Sequence, residues 1–219
     1  MSRILSYLLL TLTIACQSGE RNSNTPKKKL DHEARFTEFS IDDYAAVVIK
    51  CDLGRLNLNV RQYAVPKLEI HKTYQKYVRL EPSNDTLYIF TENTPRSTDQ
   101  VKIHKYINLY LPNMSYLETD VSQITIQNYE TERMSIVNRG NGLRLFNCKI
   151  KDLDLQIAEN SNVQLDGNNY FDDLYVKLDE NSHYNGHGMV LKKFVLETKS
   201  LKNTNFSNLP PDGFQWIKD

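Results

Sequence analysis

A chain of 219 residues has room for one domain with a sizeable core, and its 27 basic residues are matched by 27 acidic ones. That balance removes the basic footprint a nucleic-acid binder carries. Thirteen Tyr, many Val, Ile, Leu and Thr, and few helix-period runs point to an all-β chain.

The chain opens as an address. Residues 1–16 read MSRILSYLLLTLTIAC, with Arg3 as the positive start and a short apolar run at 4–14. The run is too short to span a bilayer, and Ala15 is the small residue before a cut. Removal of residues 1–15 leaves Cys16 first. A cysteine there resembles a bacterial lipoprotein signal, whose thiol is lipidated, although Thr13 stands where such signals carry Leu. Gln17 resembles the outer-membrane sorting class. Each acyl CH₂ contributes about 0.8 kcal/mol, so a multiply acylated Cys16 holds its domain on a membrane. The polar stretch 16–34, with Pro26 and Lys27-Lys28-Lys29, reads as a flexible tether.

Folding sequence begins near residue 35. Phe39-Ser-Ile41 leads to an apolar run at 45–49, and Leu56-Asn-Leu58-Asn-Val60 alternates cleanly. Leu68-Glu-Ile70 and residues 77–80 continue the strands. Ser83-Asn-Asp turns into Leu87-Tyr-Ile89-Phe90. Residues 94–100 read as a polar loop. Strands follow at 101–103 and 107–111, the second closed by Pro112, which has no N–H for a ladder.

From there the chain repeats itself. Leu153-Asp-Leu155-Gln-Ile157-Ala-Glu-Asn160-Ser161 returns as Leu174-Tyr-Val176-Lys-Leu178-Asp-Glu-Asn181-Ser182. Anchors at Leu117, Met134, Leu153, Leu174 and Phe194 recur about every twenty residues, the period of a solenoid. Each unit holds about three short strands, as in a parallel β-helix, and stacking makes one continuous core. Asn141, Asn160 and Asn181 form a corner ladder, since Asn tolerates left-handed backbone. Glu132, Lys151, Asp172 and Lys192 alternate in sign before the anchors, and opposed charges across strands contribute about 0.2–1 kcal/mol a pair. Residues 207–219 are expected to cap the last turn, with Pro210-Pro211 stopping strand addition and Phe214, Trp216 and Ile217 closing the end.

The order of these signals carries a resemblance. Phe36, Phe39 and Ile41 open the domain, a Leu-Tyr-Ile strand precedes Ile107-Asn-Leu109-Tyr-Leu111-Pro112, and repeats with Gly or Asn-Ser corners follow. This resembles the head GIN family of auto-transporter adhesin-type domains (the DUF2807 type), common among lipoproteins of Bacteroidetes-type bacteria. The resemblance covers residues 36–206. It implies a right-handed parallel β-helix of about 20 residues per turn and a cell-envelope location, and it brings no catalytic residues. With eight glycines in all, Asn, Asp and Ser stand in at several corners.

Chemistry is thinner. Cys51 and Cys148 could pair in an oxidising compartment, but the plainer reading is two separate thiols, and the three cysteines lack zinc-site spacing. Glu159 and Glu180 share one corner place on adjacent turns and, with Asp179, Asn160 and Asn181, offer oxygens to Ca²⁺; a solvated corner explains them as well. His183 and His187 have metal-like spacing only on a helix, and this stretch reads as strand and turn. Asp152, Asp154, Asp166, Asp172 and Asp173 supply carboxylates for a lyase or hydrolase, though exposed strand positions account for them. The reading is therefore a non-enzymatic scaffold on a lipid anchor, without cofactor. It binds a protein or glycan through surface Tyr residues, with a carbohydrate-active enzyme as the alternative. A groove with converging carboxylate and basic groups separates the second from the first.

Overall fold

The computed structural model describes residues 35–51, 56–93, 105–158, 160–207, 209–210 and 212–218. All lie in the compact unit Glu33–Asp219. Cys16, the tether, the strand expected at 101–103, Pro211 and Glu159 lie outside the described residues.

The described strands make two nine-stranded sheets. In spatial order, one sheet is β1 (Phe36–Ser40), β4 (Lys67–His71), β7 (Tyr106–Leu111), β3 (Asn57–Gln62), β9 (Gln123–Gln127), β11 (Gly142–Phe146), β13 (Asn162–Asp166), β15 (His183–Gly186) and β17 (Thr204–Phe206). The other is β18 (Phe214–Ile217), β16 (Met189–Glu197), β14 (Asn169–Leu178), β12 (Lys149–Ile157), β10 (Glu130–Asn138), β8 (Tyr116–Thr119), β2 (Ala46–Cys51), β6 (Thr86–Thr91) and β5 (Val78–Ser83). From β8 onward the chain climbs one turn at a time, a β-solenoid of about five turns and ~20 residues per turn.

The first half follows a different route. The β2/β3 turn is laid down first, yet it ends between two later turns: β2 pairs in parallel with β6 and β8, and β3 with β7 and β9. Antiparallel β1, β4 and β5 then cover that end. Covering strands of opposite sense protect the open edges of a parallel stack.

Alternation decides what faces in. On one sheet Leu87, Val47, Leu117, Ile136, Leu155, Val176 and Leu196 stack in one buried row. On the other, Leu109, Val60, Ile126, Leu145 and Leu165 do the same. Each of these side chains is buried, and a fully buried Leu or Ile is worth about 1.5–3 kcal/mol. Four tyrosines, Tyr44, Tyr74, Tyr129 and Tyr184, are core residues rather than surface contacts.

Two registers differ from expectation. Met134, Leu153, Leu174 and Phe194 do align, but Leu117 stands opposite Ile136, not Met134. The cause is local: β8 has only four residues and lacks the leading half that gives β10 its nine. At the C-terminal end, of the expected closing residues Phe214, Trp216 and Ile217, only Phe214 packs on the core, against Phe194 and Phe206. Residues 214–217 add a further parallel strand, β18, on β16. Trp216 and Ile217 stay 42% and 38% exposed because no turn lies above them. Trp216 Nε1 donates to Thr198 O at 3.1 Å, which fixes the ring.

Corners are built from polar side chains that serve the turn before. Asn160 and Asn181 take left-handed backbone, with φ of 60° and 61°. Asn141 does not join them. Asn162 N–H donates to Asn141 O while His183 N–H donates to Ser161 O, so Asn141 is equivalent to Ser161. Its corner is one residue shorter and needs no left-handed residue. The serines matter as much: Ser182 Oγ donates to Ala158 O at 2.7 Å, and buried Ser161 Oγ donates to Gly140 O. A second ladder sits at the far end of the same strands, where Asn128, Asn147, Gly167 and Gly188 all have positive φ. At Gly188 a Cβ would meet Gly167 O at 2.4 Å, so the stacking leaves room only for glycine.

Candidate functional site

The long strands β10, β12, β14 and β16 do not alternate throughout. In β10 both Glu132 and Arg133 are exposed, and the pairing with β12 skips Glu132. The strands bend there, and the bend leaves a groove on the outer surface, running across the turns. It encloses about 440 Å³ and is lined by Arg133, Ser135, Asp152, Asp154, Asp173, Tyr175, Lys193 and Val195, over the backbone of the core residues Met134, Leu153 and Leu174.

One row on its wall reads Arg133, Asp152, Asp173, Lys193, each directly opposite the next. Arg133 Nη2 lies 3.3 Å from Asp152 Oδ2. The parallel row reads Ser135, Asp154, Tyr175, Val195. Burial raises the pKa of Asp154, partly offset by a hydrogen bond from the Gln156 side chain. Its Oδ1 is shielded from solvent with no hydrogen-bond partner. Tyr175 is held by its hydroxyl, which donates to Glu197 Oε2, and Lys177 donates to the other oxygen. Lys177, then Tyr175, hold the Glu197 carboxyl below the usual range.

The other sequence candidates fall elsewhere. Asp166 pairs with Arg144 at 2.9 Å, and Asp172 takes bonds from Lys192 at 2.7 Å and from the Tyr170 hydroxyl at 2.6 Å. Lys151 approaches Glu132 at 2.5 Å, so the alternating charges form rungs. Such exposed pairs contribute little each. Glu180 pairs with Lys199 at 2.6 Å, which neutralises one member of the proposed carboxylate stack. His187 Nδ1 lies 3.1 Å from Ser207 Oγ, and His183 is exposed on β15. Among the described residues no group of three His, Cys, Asp or Glu is placed to hold a metal ion. Cys51 and Cys148 are separate thiols. Cys148 is buried, its Sγ 3.6 Å from the Ile126 and Phe146 carbonyls, and burial pushes its thiol pKa up. Among the described residues no helix is long and apolar enough to cross a membrane.

Arg133 and Lys193 were not singled out in the sequence. The signal lay in the register, which sets them in one row with Asp152 and Asp173.

No family model and no curated protein matches the chain. Solved structures do. An adhesin candidate from Parabacteroides merdae has 11% identity and a TM-score of 0.54, over 74% of this chain and 77% of that one. A candidate lipid-binding protein from Parabacteroides distasonis has 15% identity and a TM-score of 0.46, over 75% and 79%. An adhesin candidate from Bacteroides fragilis has 12% identity and a TM-score of 0.42, over 83% and 96%. At such identity the likeness is one of architecture: this chain has the β-solenoid fold of the Parabacteroides merdae protein.

Proposed function

We propose that this chain is a head GIN-type lipoprotein of the cell envelope, an outer-membrane protein held through Cys16, that binds a protein or glycan ligand without chemical turnover. The observation that carries the binding reading is the groove across β10, β12, β14 and β16, a recess of about 440 Å³ on a rigid outer face. Rigid elements hold contact groups better than loops do. The names of the solved neighbours, two adhesin candidates and a candidate lipid-binding protein, agree with a binding role. The lipoprotein signal supports the address.

One observation favours the enzymatic alternative: Asp152, Asp154 and Asp173 converge with Arg133 and Lys193 in one groove. Binding is preferred because these groups lie along two neighbouring rows of a single sheet face. A hydrolase needs its acid and its base or nucleophile on two sides of the scissile bond.

The test is a glycan and protein binding screen with residues 33–219, repeated with Arg133→Ala/Lys193→Ala. Retention of a ligand that the double variant loses, with no product released on long incubation, supports the reading. Product release, or binding indifferent to the groove, overturns it.

A further inference from the structure

The groove also constrains its ligand. Four neighbouring strands, with three spacings of about 4.8 Å between them, give a run of roughly 14 Å along the solenoid axis, about the length of a short oligosaccharide. The main chain of the floor is already paired. Each of β10, β12 and β14 is paired in parallel on both sides, and β16 lies between β14 and β18. An extended peptide therefore finds no free ladder to join, which removes the usual route to peptide capture. Recognition falls to side chains.

Those side chains favour neutral hydrogen-bond donors. Three carboxylates outnumber two cations, and Arg133 is already engaged by Asp152 at 3.3 Å. A polyanion is disfavoured. Ionised carboxylates only accept hydrogen bonds, two oxygens at a time, which suits a ligand dense in hydroxyls. Asp154 Oδ1 has no donor from the protein and is closed to solvent. Such an unmet acceptor calls for a partner, and the soft terminal torsion of Asp lets it turn towards the groove. Beside it, the Tyr175 ring is held by Glu197. A ring already held loses little freedom on binding, and its apolar face suits the C–H face of a pyranose.

We infer that the groove is a saccharide cleft, taking a neutral oligosaccharide laid along the solenoid axis across β10, β12, β14 and β16. The inference rests on the groove being the binding surface, as proposed above. Asp154 and Tyr175 are its main contacts, Asp152 and Asp173 its further acceptors.

The experiment uses residues 33–219 and three sets of probes: neutral tetrasaccharides (cellotetraose, mannotetraose, chitotetraose), a uronic-acid tetrasaccharide, and a random hexapeptide library. Calorimetry and amide chemical shifts read the binding. At least one neutral tetrasaccharide is expected to bind, moving signals of Asp154 and Tyr175. Tyr175→Ala and Asp154→Ala should each weaken it about ten-fold or more, while Tyr88→Ala, on β6 away from the groove, should not. Unchanged circular dichroism keeps loss of fold from imitating loss of contact. Groove-dependent capture of peptide or uronate without a neutral sugar overturns the saccharide class and leaves the groove reading standing. Binding that ignores the groove variants overturns both. Absence of any neutral-sugar binding at about 1 mM, the weak end of specific recognition, overturns the inference.

Discussion

Tyr184 occupies the space that a side chain at Gly186 would need: a Cβ there would lie 2.9 Å from Tyr184 Oη and 2.5 Å from Met189 Cε. Gly186 stands in the buried row above Leu165, so the missing side chain is replaced by a ring from two residues earlier. Tyr184 then packs on Phe194 at 5.6 Å and Phe206 at 5.5 Å, the aromatic end of the core. Gly186→Ala is therefore an overpacking change. It should lower stability by about 1–3 kcal/mol, read as an earlier urea midpoint with an unchanged slope. A neutral result would mean that Tyr184 swings freely.

Asn181 permits a discriminating pair of substitutions. Its φ of 61° costs an ordinary residue roughly 1–2 kcal/mol and glycine almost nothing. Asn181→Ala should destabilise by that amount, whereas Asn181→Gly should sit near wild type. Thermal melts of the two variants decide the matter; equal losses would show that the Asn side chain, not the backbone, holds the corner.

Asp154 should trade stability for function. Burial raises its folded-state pKa above the unfolded value, so ionisation at neutral pH penalises the folded chain. That penalty is relieved as the pH falls through the folded pKa, and it is gone below the unfolded one, near 4. Asp154→Asn should consequently raise the melting temperature at pH 7, with the gain fading as the medium is acidified. A gain that grows with acid would contradict this sign.

Glu118 runs the other way. Hydrogen bonds from Lys50 and then Tyr116 hold its carboxyl below the usual range. Its contribution is present above the unfolded pKa and lost as the pH drops through the folded one. Glu118→Gln should thus flatten the acid limb of a stability–pH curve; an unaltered limb would show the pair to be inert.

Cys16 is tested by fractionation. Cys16→Ser should move the chain from the detergent-extracted membrane fraction to the aqueous one, and globomycin should block processing of the wild type. Unaltered membrane retention would remove the anchor from the proposal.

The sequence disclosed what recurs and concealed what does not. Leu153, Leu174 and Phe194 were legible as stacked partners because whole phrases repeat around them. The ladder of Asn128, Asn147, Gly167 and Gly188 was overlooked because two residue types share one backbone role, Asn in the first two turns and Gly in the next two, so no single letter runs through it. The place of β2/β3 between later turns was illegible for a deeper reason: parallel pairing over long chain separations leaves no local pattern. The groove needed both the register and the bend at Glu132-Arg133. Its aspartates were visible in the sequence, but not their assembly with Arg133, Lys193 and Tyr175.

The insertion of β2/β3 makes the two ends of the stack unequal as material for change. Between β10 and β17 every turn pairs with its immediate predecessor and successor in the chain. One repeat can be cut out or copied there while its neighbours rejoin in the same alignment, so the molecule can be shortened or lengthened by whole units. The β2/β3 turn is instead the common partner of β6/β7 and β8/β9, and its excision separates the covered end from everything that follows. Length is adjustable on one side of that keystone and fixed on the other.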